Sequence, residues 1–181
     1  MNYCKLNKYD VANGPGVRVS LFVSGCRNYC KGCFNKAAWD FNYGKLFNGN
    51  TMDEIIETLS LDYISGLTIL GGEPFEPENQ NQVYNIVKYV RLRFPNKTIW
   101  IYSGYTIEQI LREKNIKDTT YWILSNCDVL VDGKFDESLY DISLRFRGSS
   151  NQRIIDLKNT LHNYNKYPDS FTVETIDIDN N

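Results

Sequence analysis

The chain has 181 residues, with 20 Lys and Arg against 22 Asp and Glu, which is enough to bury one core and short for two independently folding units. This near-balance of charge leaves no electrostatic footprint for wrapping nucleic acid or lying on an anionic membrane, and no apolar run approaches the ~20 residues that span a bilayer. The opening MNYCKLNKYD lacks a basic segment followed by an apolar one, so the expectation is a cytoplasmic protein with one domain over residues 1–181.

Val17-Arg-Val-Ser-Leu-Phe-Val23 is rich in β-branched and apolar residues and reads as a buried strand running into Ser24-Gly25-Cys26. After a Gly- and Asn-rich stretch, Thr51 to Glu54 forms a capping box, and Ile55, Ile56 and Leu59 predict a helix from about Met52 to Leu59. A strand, Leu67-Thr-Ile-Leu70, leads into Gly71-Gly72-Glu73-Pro74. Val83, Ile86, Val87 and Val90 then recur at helical spacing until Phe94-Pro95.

The alternation repeats in Thr98-Ile-Trp-Ile-Tyr102, followed by Ser103-Gly104 and a second capping box from Thr106 to Gln109 before Ile107, Ile110 and Leu111. Asp128-Val-Leu-Val131 reads as a fourth strand ending at Asp132-Gly133. Ser149 and Gln152 are expected to cap a closing helix carrying Ile154, Ile155, Leu157 and Leu161, and the acidic tail from about Pro168 is expected to be poorly ordered. Alternation of this kind implies an α/β fold with a mostly parallel sheet. A closed eightfold barrel takes about 250 residues, so the chain can supply only a partial, open β/α barrel. The carboxyl ends of parallel strands share one edge, where ligands sit, and each strand here ends in a polar or glycine-bearing segment.

The five cysteines are Cys4, Cys26, Cys30, Cys33 and Cys127. An odd set without an export signal makes a poor disulfide framework. Three of them form Cys-x3-Cys-x2-Cys, and soft thiolates at close spacing suit zinc or an iron-sulfur cluster. Structural zinc prefers four ligands in two short-range pairs, so the zinc reading, a zinc-binding interaction module, must recruit Cys4, Cys127 or His162. Three thiolates on a [4Fe-4S] cubane leave one iron without a protein ligand and open to a substrate. Cys26, Cys30 and Cys33 are therefore the candidate metal ligands.

At these residues the chain resembles the radical S-adenosylmethionine superfamily, whose signature is three cysteines at this spacing after the first strand. Gly71-Gly72-Glu73-Pro74 looks like its second signature, in which strand-end glycines approach the methionine amino group; a bare Gly-Gly is otherwise a simple turn. The superfamily often has an aromatic residue before the third cysteine, where this chain has Gly32 with Phe34 after it, and the resemblance implies an adenine contact from Phe34 or from the Gly32 backbone, beside Cys33. Asn13-Gly-Pro-Gly-Val-Arg18, Ser20 to Cys26, Gly32-Cys-Phe-Asn35, Val131 to Phe135 and Phe146 to Gln152 are similar to the activating proteins of anaerobic ribonucleoside-triphosphate reductase. That resemblance implies a [4Fe-4S] cluster and S-adenosylmethionine as cofactors, a flavodoxin-type electron donor, and the glycyl radical subunit of the reductase as partner. It implies reductive cleavage of S-adenosylmethionine and abstraction of a glycine hydrogen from the reductase. Activases of other glycyl radical enzymes, such as pyruvate formate-lyase, are similar in the first half.

Other residues carry two readings each. Asn13-Gly-Pro-Gly16 is a turn into the first strand or part of the site rim, and Arg18 is a solvated edge charge or a counter-charge to a cluster. Tyr102, Ser103 and Tyr105 form a plain turn or meet the ribose or carboxylate of the cofactor; Asp132 and Lys134 stand alike. Cys4 and Cys127 read as small buried hydrophobes, His162 as a surface residue of the last helix, and the tyrosines as packing groups.

Overall fold

The computed structural model describes residues 1–112 and 118–179. Its strands are β1 (Asn2–Asp10), β2 (Val17–Val23), β3 (Lys45–Leu46), β4 (Ile64–Gly71), β5 (Thr98–Tyr102), β6 (Val129–Asp132) and β7 (Arg153–Asp156). Its α-helices are α1 (Gly49–Leu59), α2 (Pro77–Arg93), α3 (Ile107–Arg112), α4 (Asp118–Asn126) and α5 (Leu157–Lys166). The strands form one sheet in the order β3-β1-β2-β4-β5-β6-β7. The four central strands β2, β4, β5 and β6 are parallel, while β1, β3 and β7 pair antiparallel at the edges. The fold is thus mixed α/β with a mostly parallel centre, and the sheet is open and not closed into a barrel.

Strand periodicity splits the sheet into two unlike faces. Val19, Leu21 and Val23 on β2, Leu67 and Ile69 on β4, Ile99 and Ile101 on β5 and Leu130 on β6 join Ile55, Leu59, Val83, Ile86, Val87 and Val90 of α1 and α2 in the main core. Each such side chain contributes about 1.5–3 kcal/mol on burial. The opposite face carries a smaller apolar cluster of Trp100, Val129, Val131 and Ile154. Its buried polar groups include Arg18, Ser20 and Thr68.

Several expectations are corrected. The strand β1 was hidden because NYCKLNKYD lies near one edge and is only half-buried. Helix α1 starts three residues before Met52, capped by Asn48, whose Oδ1 accepts from the Thr51 N–H at 3.1 Å. The Thr106–Gln109 capping box stands as read, with Thr106 N–H donating to Gln109 Oε1 at 2.8 Å and Gln109 N–H to Thr106 Oγ1 at 3.3 Å. Where the closing helix was expected to begin, β7 pairs with β6, sending Ile155 into the main core and Ile154 to the other face. Helix α5 starts only at Leu157, capped by Asp156. The tail, expected to be poorly ordered, lies along β7: Asp156 N–H donates to the Glu174 carbonyl and Ile176 N–H to the Ile154 carbonyl, both at 2.8 Å. Ile176 and Ile178 pack on the second apolar cluster.

Arg18 is neither a solvated edge charge nor a residue at the cysteine end of β2. It is 0% exposed. Its Nε donates to Thr68 Oγ1 at 2.8 Å, Nη1 to Thr98 Oγ1 at 2.9 Å, and Nη2 to the Leu67 and Thr98 carbonyls at 2.8 and 3.0 Å. The guanidinium stands 5.6 Å from the Trp100 ring centroid, and burial lowers its pKa to about 10. Arg18 therefore stitches β2 to β4 and β5 from the polar face. Arg18→Ala should cost roughly 3 kcal/mol of folding stability by leaving a hole and orphaned acceptors, measured by urea unfolding of the cluster-free protein. A loss under about 0.5 kcal/mol, as for an ordinary surface charge, would contradict this role.

Candidate metal and cofactor centre

The parallel strands β2, β4, β5 and β6 end along one edge, and the loops leaving them are laced together. Gly72 N–H donates to the Val23 carbonyl at 2.7 Å and Glu73 N–H to the Gly25 carbonyl at 2.8 Å, so the end of β4 is hydrogen-bonded directly to the chain entering Cys26. Only glycine permits this approach. Gly71 has φ +109°, and a Cβ on Gly72 would lie 2.6 Å from the Gly25 carbonyl oxygen. The cysteine loop is held from its far side by Gly25 N–H to the Ala38 carbonyl at 2.8 Å and Cys26 N–H to the Trp39 carbonyl at 3.2 Å, and Cys33 N–H closes a turn on the Cys30 carbonyl at 3.2 Å.

A cavity of about 640 Å³ opens at this edge, within the size range of small-cofactor sites. Cys26, Cys30 and Cys33 line it together with Gly32, Phe34, Gly71, Gly72 and Ser103. Cys26 and Cys30 are buried and Cys33 half-buried, whereas Phe34 is 90% exposed at the mouth. Burial pushes the Cys26 thiol up to about 11, against an opposing hydrogen bond from Asn28, and also raises Cys30. As free groups these two stay protonated near neutral pH, and binding a cation would release their protons. Among the described residues no three His, Cys, Asp or Glu side chains are gathered tightly enough to hold a metal ion as they stand. The three thiols are neighbours in one loop and one cavity rather than a closed cage.

Glu73 follows the Gly71-Gly72 corner but does not line the cavity. It is 0% exposed and lies behind it. Its Oε1 accepts from Phe75 N–H and Ser103 Oγ, both at 3.0 Å; its Oε2 accepts from Gly104 N–H at 2.8 Å and Asn28 Nδ2 at 3.1 Å. One carboxyl thus ties the end of β5, the β4 corner and the cysteine loop together. Desolvation outweighs these donors and pushes its pKa up to about 7.

The other candidates separate. Asp132 is buried in an ion pair with Arg153 at 2.6 Å and accepts from Ile107 N–H at 2.7 Å, so it anchors α3 rather than facing the cavity. Lys134 lines an adjoining pocket of about 420 Å³ that shares Phe135 and Glu137 with the main cavity. Asn13 lines the main cavity, Tyr102 lines it and donates to the Phe146 carbonyl at 2.7 Å, and His162 is exposed on α5. Cys4 donates to the Phe22 carbonyl at 3.2 Å and Cys127 is buried in the main core; neither lines the cavity. Ser149 and Gln152 are not a helix cap. Gln152 Oε1 accepts from Gly148 and Ser149 N–H at 2.9 and 3.2 Å and shapes a loop whose Phe146, Arg147 and Gly148 wall the cavity. Asn28 and Tyr140, which no sequence motif marks, also wall the cavity; they share no spacing, and only the tertiary fold brings them together.

Glu73 yields a signed pH dependence. Its carboxyl moves from an ordinary 4.5 to about 7 on folding, so the folded state holds the proton more tightly. The stability it contributes is whole below the unfolded value and is lost as the pH rises through about 7. Glu73→Gln cannot ionise. Across that window the wild type should lose stability relative to the variant, by at most about 1.4 kcal/mol per pH unit, in urea unfolding of the cluster-free proteins. Parallel pH profiles for the two would contradict the assignment.

Residues 12–155 match the family described as a 4Fe-4S single cluster domain. The chain is 42% identical over 154 residues to the anaerobic ribonucleoside-triphosphate reductase-activating protein of Enterobacteria phage T4, covering 85% of this chain and 93% of that one. It is 40% identical over 156 residues to the protein of that name from Vibrio cholerae, covering 85% and 97%, and 38% identical over 160 residues to that from Escherichia coli K12, covering 87% and 100%. With likeness of this degree along most of both partners, the chain belongs to the family of anaerobic ribonucleoside-triphosphate reductase-activating proteins and carries its 4Fe-4S single cluster domain.

Proposed function

We propose that the protein activates an anaerobic ribonucleotide reductase, with Cys26, Cys30 and Cys33 holding a [4Fe-4S] cluster beside bound S-adenosylmethionine. The observation that carries this reading is the composition of one cavity: three thiols of one loop and the Gly71-Gly72 corner line it, and neither Cys4, Cys127 nor His162 joins them. That donor set fits a cubane with three protein ligands and lacks the fourth that a structural zinc site requires. When bound, the reduced cluster would supply one electron for reductive cleavage of S-adenosylmethionine, and a hydrogen would be taken from a glycine of the reductase.

The chain's own residues do the positioning. Gly71 and Gly72 line the cavity without a Cβ, so their backbone would lie open to the ammonium of the cofactor's methionine end. Ser103 lies at the β5 end of the same cavity, its Oγ already donating to Glu73 and accepting from Tyr105 N–H at 3.0 Å, which fixes its orientation. Phe34, and Gly32 through its backbone, border the mouth beside Cys33, where a flat base can pack. Glu73 keeps these loops in register from behind without touching the cofactor. The electron donor in this reading is a flavodoxin-type protein, the cell compartment is the cytoplasm, and neither nucleic acid nor membrane takes part. Among the described residues no helix is long and apolar enough to cross a membrane.

Single replacement of Cys26, Cys30 or Cys33 by Ala should reduce bound iron and 5′-deoxyadenosine formation to background, while Cys4→Ala and Cys127→Ala retain both. Iron analysis after anaerobic reconstitution and chromatography of the nucleoside products measure this. Mixed with the reductase and S-adenosylmethionine, the reduced protein should give a glycyl doublet in electron paramagnetic resonance. Deuterium from an α-deuterated glycine should appear in the 5′-deoxyadenosine. Product formed without that deuterium would overturn the assignment of the hydrogen donor.

A further inference from the structure

The segment from Cys26 to Cys30 has no regular secondary structure, and Tyr29 sits at φ +47°, a left-handed conformation that a non-glycine residue keeps only when its surroundings over-determine it. Tyr29 packs edge-on against Trp39 at 5.2 Å between ring centroids, and two residues before it a dense set of contacts ties down Arg27. Its backbone N–H donates to Glu76 Oε1 at 2.9 Å and its Nη1 donates to Glu76 Oε2 at 2.5 Å, so main chain and side chain of one residue grip both oxygens of one carboxylate. Glu78 takes the other side of the fork, from Nη1 at 3.0 Å and Nη2 at 2.5 Å. The flat face of the guanidinium lies 4.3 Å from the Phe41 ring centroid. Main chain and edge of Arg27 are thereby fixed by the Glu76–Glu78 segment and its plane by Phe41.

We propose that Arg27 is the positioning residue of the cysteine loop, locking Cys26 to the β4–α2 corner so that the first cluster thiolate and the Gly71-Gly72 backbone move as one body. The proposal rests on the cluster reading given above and extends it to a residue outside the cysteine motif. Two carboxylates of that corner act together: Glu76 holds Arg27, and Glu73 holds the next residue, Asn28, at 3.1 Å. An exposed ion pair alone contributes little, and Glu78 at 49% side-chain exposure is such a partner. Glu76 differs, because its side chain is only 4% exposed and both of its oxygens are bonded to Arg27. Without that guanidinium a buried carboxylate loses its counter-charge. Lysine cannot substitute, since a point charge offers neither the fork nor the plane.

The test compares reconstituted wild type with Arg27→Met, Arg27→Lys and the double variant Arg27→Met/Glu76→Gln. Two quantities are read: the rate at which excess EDTA bleaches the cluster absorbance without oxygen, and the urea midpoint of the cluster-free protein. Arg27→Met should bleach roughly tenfold faster, the usual scale for losing a residue that orients a metal ligand, and Arg27→Lys should also bleach faster than wild type. The double variant removes the stranded charge and should recover the unfolding midpoint while still bleaching fast. Wild-type bleaching in Arg27→Met would overturn the proposal, and so would slow bleaching restored in the double variant, which would make the role one of charge burial alone. A wild type that takes up no four-iron cluster would instead overturn the cluster reading, before any variant is compared.

Discussion

The carboxyl-terminal edge of the sheet depends on the direct hydrogen bonding of the β4 corner to the cysteine loop. Two main-chain bonds, Gly72 to Val23 and Glu73 to Gly25, fix the loop's entry. The Glu73 side chain then draws in Ser103, Gly104 and Asn28 from two further segments. A buried carboxyl left without partners would cost several kcal/mol, so this residue can sit where it does only because four donors surround it. The same bonds make the cavity walls a connected unit. The glycine corner, the serine at the β5 end and the loop between Cys26 and Cys30 share one set of constraints rather than meeting by separate loop conformations.

The sheet supplies that edge by dividing its labour between two faces. On the helix side, alternate residues of β2, β4, β5 and β6 fill an apolar core. On the open side the same strands carry Arg18, Thr68, Trp100 and Tyr102, a mixture of hydrogen-bonding and aromatic groups. An apolar open face would demand a second layer of helices. A polar one sustains a cavity, and the segment from Gly133 to Gln152 roofs part of it through Phe135, Tyr140 and Phe146. Along the last strand the C-terminal tail covers the remaining edge, adding bonds to Ile154 and Asp156.

Much of this was legible in the sequence where local chemistry and tertiary demand agree. The strands β2, β4, β5 and β6 are short apolar runs ended by glycine or serine, and such runs in a parallel sheet are buried whatever their neighbours. The cysteine spacing and the Gly71-Gly72 corner were legible because both are confined to a few residues. The misses have a common physical cause. The strands β1 and β7 and the tail are edge elements whose pairing partners lie far away in sequence, so polar and half-buried residues there carry little periodicity. Ile154 and Ile155 fit a helix or a strand equally until pairing with β6 sends them to opposite faces. Membership of the Gly71-Gly72-Glu73-Pro74 signature points Glu73 toward a cofactor; its fully buried position depends on Ser103, Gly104 and Asn28, which no local pattern connects to it.

In the function proposed above, one loop supplies three thiolates to a four-iron cluster and leaves the fourth iron to the cofactor. Mössbauer spectroscopy of the ⁵⁷Fe-reconstituted wild-type protein, recorded with and without S-adenosylmethionine, tests it most directly. The account predicts that one quarter of the iron signal shifts when the cofactor is added, to the isomer shift of a more highly coordinated site, while the other three quarters stay unchanged. A spectrum that does not change with the cofactor, or in which all the iron shifts alike, would contradict it.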